Sequence, residues 1–479
     1  AGGRAGGHRA AAAAGRGTGL TPAMATGFPR LQQIPYRTDS APLLEAVRHY
    51  GFPVFLDSGG RGRLDIISAD PGVRLVTRGE VTRVIARDGF RTSRADPFDL
   101  VRELLDLSRS PVTDLPFDGG AIGYFGYDLA RRIERLPSRA KDIDGLPEMS
   151  VGIHDWAVVV DHEARRSWLV ARGDDPRTAR RWDQLLTRLS MQPEGAERPL
   201  ERTGDLGISL DRAGYDARFR RIQHFIHEGD CYQVNFALRF ECPVRGDPWS
   251  GYRAIRGSNP SPFGAFLDCG DFAVLSLSPE RFLEARGGQV STSPIKGTRP
   301  RGETPEADRR LREALLNSDK DRAENLMIVD LLRNDLGRVC EPGSIRADRL
   351  FELESFATVH HLVSTVTGRL RGGEDSLSLL RACFPGGSIT GAPKIRAMEV
   401  IEELEPCRRG VYCGAIGYVG FNGDMDTSIA IRTLVTRSGR AWFWAGGGVV
   451  ADSTAATEYD ECFHKAGFLL DYFEAGKGG

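Results

Sequence analysis

A seven-residue phrase occurs twice in this chain. GAIGYFG runs from Gly120 to Gly126 and GAIGYVG from Gly414 to Gly420, and only Phe125 against Val419 differs. Each copy is followed by a polar turn, Tyr127 and Asp128 in the first and Asn422 to Asp424 in the second, and then by an apolar stretch, 152–161 or 427–436. Alternation of apolar and polar residues after a turn is a strand signal. Two readings fit the repeat: a strand-turn phrase used twice, or two similar sheet halves facing each other in one sandwiched core. Apolar residues spaced by three and four predict helices over Arg212–Gly229, Glu306–Asn317, Ser318–Val339, Lys394–Leu404 and Ala455–Phe473. Irregular mixing of strands and helices points to an α+β fold.

The chain has 479 residues, enough for one large domain or two fused ones. Residues 1–23 are almost all Ala, Gly and Arg and predict a disordered leader, with Met24 a candidate first residue. The polar stretch 192–207, with Pro193 and Pro199, marks a linker between an N-terminal part, 24–191, and a motif-rich part, 208–479. Lys and Arg total 64 against 65 Asp and Glu, so the basic footprint of a nucleic-acid binder is missing. No apolar run reaches the roughly 18 residues of a membrane helix. The eight cysteines are scattered with no zinc spacing, which predicts buried thiols in a reducing, cytoplasmic setting.

Four regions carry candidate chemistry. A helix capped by Asp452 or Ser453 places Glu458, Glu461 and Lys465 on one face. Glu461 and Lys465 also fit a plain surface pair worth about 0.2–0.5 kcal/mol. In DRAENLMIVDLL, Glu324 sits beside Leu326, Met327, Ile328 and Val329, where a carboxylate needs a cation. Magnesium suits such hard oxygen ligands; Arg322 or Arg333 would serve equally well as ion-pair partners. Gly446, Gly447 and Gly448 follow the strand-like WFWA and leave room for the backbone to approach an anion. The glycine loop FPGGSITGAPK at 384–394 lacks the Lys-Ser/Thr ending of a phosphate loop, so nucleotide binding is rejected there. In SPIKGTRP, Lys296 would have to lose its charge to act as a nucleophile, and nearby carboxylates oppose that; from the residues alone an ion-paired Lys296 is the better reading.

Taken together, GDCYQVN (229–235), LSPERF (277–282), PIKGT (294–298), DRAENLMIVDLLRNDLGRV (321–339), VHHLVST (359–365), FPGGSITGAPK, DTSIAIRT (426–433) and AGGGVVADS resemble the chorismate-utilising enzyme family over roughly residues 44–473. The resemblance implies a sandwich of two facing antiparallel β-sheets flanked by helices, as in anthranilate synthase component I. It also implies magnesium on Glu324 and Glu461, with Glu458 reaching the ion through water. The metal would hold the substrate's ring carboxylate, Gly446, Gly447 and Gly448 would grip carboxylate by their amides, and Arg432 and Tyr418 would meet the enolpyruvyl carboxylate. Lys465, Gly297 and Thr298 would complete the pocket, His361 would lie beside the reacting ring, and Glu280 would protonate the departing 4-hydroxyl.

Lys296 and Gln233 discriminate within the family. Members that make 4-amino-4-deoxychorismate carry the lysine, where anthranilate and isochorismate synthases read PIAGT or PLAGT. Isochorismate synthases have a water-activating lysine in place of Gln233. LDSGG at 56–60 departs from the LLES phrase with which anthranilate synthases bind tryptophan. No glutaminase signature is present, so the expected ammonia source is a separate glutamine amidotransferase subunit or ammonium in solution.

Overall fold

The computed structural model describes Gly2 and residues 29–107, 112–191, 198–356 and 359–475. Apart from Gly2, the expected leader lies outside the described residues, as do residues 192–197 of the expected linker. The architecture is α+β: a 13-stranded and a 12-stranded antiparallel sheet face each other, with helices on both outer surfaces.

Three clusters of side chains fill the spaces between these layers. Between the sheets, Val54, Ile66, Val159 and Val274 of the larger sheet meet Ile122, Tyr124 and Ile416 of the smaller. On the outer face of the larger sheet, Phe236, Phe240 and Phe443 pack against Tyr215, Phe219, Cys462, Leu469 and Phe473 of the helices Arg212–His227 and Ala455–Ala475. On the outer face of the smaller, Val151 and Phe282 pack against Val329 and Leu336 of the helix Asp319–Gly337 and Leu379 of the helix Ser376–Cys383. Both faces of the central strands are therefore dry, which is why Gly120–Phe125, Met149–His154 and Ala415–Gly420 are buried at every position.

The repeat has a different meaning from that of two facing halves. Gly120–Phe125 and Ala415–Gly420 are neighbours in the same sheet, paired antiparallel with Gly123 opposite Gly417. A Cβ at Gly123 would lie 2.2 Å from the Ser150 carbonyl oxygen, and one at Gly417 would lie 2.1 Å from that of Asp426, so glycine is required at the same place in each copy. The alternating stretches are also divided. The first splits into Met149–His154 and Trp156–Asp161, and the second into Met425–Ile429 and Thr433–Arg437. Arg432, at φ 50°, forms the second break.

Strands from both sides of 192–207 interleave in each sheet: Val54–Asp57 pairs with Phe263–Asp268, and Gly120–Phe125 with Ala415–Gly420. Among the described residues no helix is long and apolar enough to cross a membrane. All eight cysteines are buried and free.

Candidate active site

The chemistry of a cleft begins with where strands end, and here two sheet margins meet. The smaller sheet ends in Ile295–Pro300, which pairs with Val359–Arg369 so that Thr298 lies opposite His361. Near the margin of the larger sheet, Gln233–Arg245 pairs with Arg440–Val449, and Asn235, Phe236 and Ala237 lie opposite Gly448, Gly447 and Gly446. The three glycines thus continue the strand that begins before WFWA. Two helices bring in carboxylates: Asp319–Gly337 carries Glu324, and Ala455–Ala475 carries Glu458 and Glu461.

The cap of the last helix is Thr454, whose hydroxyl accepts from the Thr457 amide at 3.3 Å. Ser453, one of the two expected caps, instead donates to Glu458 Oε1 at 2.7 Å. Lys465 Nζ donates to Glu461 Oε1 at 2.5 Å and to the Gly446 carbonyl at 2.9 Å, so the amine ties this helix to the glycine strand. A Cβ at Gly447 would lie 2.9 Å from Glu458 Oε2 and 3.2 Å from Glu461 Oε1. The missing side chain is what lets bare backbone lie against two carboxylates.

Electrostatics separate these acids. Burial raises the Glu324 and Glu458 carboxyls above their ordinary range, and the charge of Glu461 pushes the same way. Burial acts likewise on Glu461, but Lys465, by charge and hydrogen bond, outweighs it and holds this carboxylate below the usual range. Neither expected arginine serves Glu324: Arg333 pairs with Asp330, and Arg322 stacks over Phe351. Its nearest cation is Lys320, at 4.0 Å. Among the described residues no three His, Cys, Asp or Glu side chains close into a metal-binding group. Magnesium asks for less, since one or two carboxylates plus substrate oxygens suffice. Glu324, weakly paired, and Glu461, held toward its ionised form by Lys465, supply the one or two carboxylates that this demand needs.

Lys296 departs from the ion-pair reading. Its Nζ donates to the Ser388 carbonyl at 3.2 Å. Burial lowers its pKa, with Lys465 adding to the effect, and outweighs the opposing charges of Glu280, Glu324 and Glu461. Glu280 is 7% exposed. Burial raises its carboxyl against the opposing charge of Lys296 and a hydrogen bond of 2.9 Å from Ser388 Oγ. A carboxyl whose acid form is favoured by burial, beside an amine whose charged form is disfavoured by it, gives one cleft a candidate acid and a candidate nucleophile. Ser388 touches both, and it lies in the glycine loop set aside as a nucleotide site; a hydroxyl amid glycines was the signal that reading left unused.

The remaining polar groups are neutral or unpaired. His361 Nδ1 meets Thr298 Oγ1 at 2.9 Å, and burial, helped by Arg432, pushes the imidazole down to about 4, so the ring is neutral at pH 7. Gly297, at φ 84°, makes the bend between Lys296 and Thr298. Arg432 is solvent-exposed, and among the described residues its guanidinium makes no ion pair or side-chain hydrogen bond. Such a cation favours an anionic ligand. Gln233 is fully buried with both amide atoms unpartnered, and its amide lies where a Gly448 side chain would stand.

Residues 54–471 match the model of a family described as chorismate binding enzyme. The chain belongs to the chorismate binding enzyme family. Aminodeoxychorismate synthase component 1 of Klebsiella aerogenes is 48% identical over 455 residues, covering 93% of this chain and 99% of its own. The anthranilate synthase component 1 of Thermus thermophilus is 42% identical, covering 83% and 86%. The crystal structure of anthranilate synthase component I from Streptococcus pneumoniae aligns with a TM-score of 0.77 at 34% identity, covering 85% of this chain and 91% of that one.

This chorismate binding enzyme also has a cavity of about 670 Å³ whose lining includes none of Glu280, Lys296, Glu324 and Ser388. Leu56, Asp57 and Ser58 of the LDSGG phrase line it, with Pro279, Arg281 and Ile295. Because successive strand residues face opposite ways, Arg281 and Ile295 point into the cavity while their neighbours Glu280 and Lys296 meet Ser388 in the cleft. Tyr418 belongs to the cavity as well. Its ring packs edge-on to Phe117 at 5.1 Å, and burial, then Asp426, raises its phenol. The other expected site residues gather around the cleft, so Tyr418 is the one that the fold draws away from them.

Proposed function

We propose that this chain aminates chorismate to 4-amino-4-deoxychorismate with retention of the enolpyruvyl group, using ammonia from a separate glutamine amidotransferase subunit. One observation carries the reading: Lys296, its charged form disfavoured by burial, and Glu280, its acid form favoured by burial, are held on the same residue, Ser388. The similarity to aminodeoxychorismate synthase component 1 over nearly the whole of both chains supports it. The eight buried free thiols suit a reducing cytoplasm as its setting.

In this scheme the neutral Lys296 amine forms a bond to C2 of chorismate, the ring double bond shifts, and the C4–O bond breaks. Glu280 gives its proton to the departing 4-hydroxyl, which leaves as water. Ammonia then forms a bond to C4, the double bond shifts back, and the C2–N bond breaks to return Lys296 as an amine; the protons shed by the two attacking nitrogens restore Glu280 and Lys296. Arg432 holds a carboxylate, Lys465 and the Gly446–Gly448 backbone bound the other end of the cleft, and neutral His361 on Thr298 sits beside the ring. Gln233 supplies no base to activate water, which leaves the amine as nucleophile. Glu324 and Glu461, with Glu458 at one remove, would hold magnesium, which neutralises a substrate carboxylate when bound.

The test is product identification. Chorismate, magnesium and ammonium should give 4-amino-4-deoxychorismate by mass and retention time, whereas anthranilate as the product would move the chain to the other branch of its family.

A further inference from the structure

Ser388 is held more firmly than a loop hydroxyl usually is. It lies in the single turn Gly387–Ile389. On one side of the turn, a Cβ at Gly387 would lie 2.5 Å from Leu331 Cδ2, so the backbone is pressed onto the helix that carries Glu324. On the other side, the buried Arg409 guanidinium donates to the Ile389 carbonyl at 2.9 Å and to the Asn235 carbonyl at 2.8 Å. Arg409 is itself fixed by two hydrogen bonds to Glu405, at 2.9 and 2.6 Å, and Glu405 accepts from the Ala237 amide at 3.0 Å. The Asn235 amide completes the clamp by donating to the Thr390 carbonyl at 2.8 Å. The turn is thus registered on the strand that begins at Gln233, and its one outward polar side chain is aimed at Glu280.

We infer that Ser388 is a positioning residue for the proposed amination: its hydroxyl fixes which oxygen of Glu280 carries the proton delivered to the substrate, while its carbonyl sets the direction of the Lys296 amine. A protonated carboxyl accepts best at its carbonyl-type oxygen. Donation from Ser388 Oγ to Oε1 therefore assigns the acidic proton to Oε2. Lys296 spends one N–H on the Ser388 carbonyl, which restricts rotation of the amine and leaves its lone pair a defined direction. The two contacts use different atoms of Ser388, so they can be separated by mutation. Removing the hydroxyl leaves the carbonyl and its contact with Lys296 in place.

This inference rests on the proposed function, and the experiment distinguishes failure of one from failure of the other. Ser388→Ala and Ser388→Thr are compared with the unaltered chain by steady-state kinetics with chorismate, magnesium and ammonium. A well-aimed general acid is worth about 10²–10⁴-fold, so loss of aim in Ser388→Ala should lower kcat by about 10- to 100-fold with little change in KM. Ser388→Thr keeps the hydroxyl and should recover most of the rate. The charged or titratable groups facing Glu280 are Lys296 and Lys465, with the Cys413 thiol close by, and none of them changes in either variant. Losing the hydrogen bond to the carboxylate should therefore move the alkaline limb of the kcat profile to higher pH in Ser388→Ala alone. Equal melting temperatures of the three proteins would exclude a folding effect. If Ser388→Ala keeps the full kcat and the same alkaline limb, Ser388 has no such role. If the unaltered chain makes no 4-amino-4-deoxychorismate, the proposed function itself is wrong.

Discussion

Adding one methyl group at either of two neighbouring glycines should have opposite consequences. At Gly446 a Cβ would lie 2.3 Å from the Phe236 carbonyl oxygen and 2.6 Å from Ala237 Cα. Both are backbone atoms of the paired strand, so relief requires the two strands to part, and the ladder opposite Gly446–Gly448 is lost with them. Overpacking in a core costs about 1–3 kcal/mol, and a clash with backbone belongs at or above the upper end. At Gly447 the nearest atoms are Glu458 Oε2 at 2.9 Å and Glu461 Oε1 at 3.2 Å, the far ends of flexible side chains which, though held by Ser453 and Lys465, can yield where backbone cannot. There the fold should lose less than about 1 kcal/mol, partly offset by the about 0.4–1 kcal/mol that Gly→Ala gains from the unfolded chain. What Gly447→Ala should lose is activity, because the two carboxylates are turned from their places. Calorimetry and turnover at saturating magnesium read the two effects separately. Gly446→Ala should melt clearly lower, while Gly447→Ala should melt near the unaltered protein and turn over at under about one hundredth of its rate. A Gly447→Ala protein with full activity would refute the placing of these carboxylates at the substrate.

Three further outcomes follow from the same geometry. Lys296→Ala should abolish amination, and mass spectrometry of the unaltered enzyme quenched with chorismate should find a covalent adduct on the Lys296 peptide; an undiminished rate in the variant would reduce Lys296 to a structural residue. Chelation, or Glu461→Gln, should stop turnover and be reversed by magnesium in the first case only, and activity that persists in a chelator would remove the metal from the scheme. His361 lies at about 4, below its ordinary value of about 6.5, so on acidification the unfolded chain takes up a proton that the fold refuses. The stability is complete above about pH 6.5 and is lost as pH falls toward 4. Between pH 7 and pH 5 that is about 1.5 units at 1.36 kcal/mol each, or about 2 kcal/mol, so the unaltered protein should lose about that much more than His361→Gln in denaturant titrations. Equal losses would contradict a buried neutral His361.

Periodicity was enough to find the long helices, because each buries one stripe: Arg212–His227, Lys394–Leu404 and Ala455–Ala475 begin where the spacing begins. It could not say how the repeated phrase is used, since strands dry on both faces look alike whether they pair edge to edge or stack face to face. Nor could it separate Met425–Ile429 from Thr433–Arg437, because a left-handed residue at Arg432 has no signature in composition. At the site, carboxylates on one helix face were legible as spacing. From the residues alone Lys296 reads as an ion-paired lysine, because desolvation is a property of the folded cleft, where burial opposes the pull of three nearby carboxylates. The cation partner of Glu324 was misplaced for a similar reason: Arg322 and Arg333 are near in sequence but are taken by Phe351 and Asp330. Tyr418 was assigned to the cleft through its family phrase, yet the direction of a strand side chain is set by register, and register turns it into the cavity of about 670 Å³.

The stoichiometry of pyruvate release tests the central claim most directly. Chorismate consumption and pyruvate formation are followed together in one reaction with magnesium and ammonium. An enzyme that uses Lys296 and Glu280 to exchange the 4-hydroxyl for an amine consumes chorismate with no pyruvate formed. One pyruvate per chorismate consumed would contradict the account.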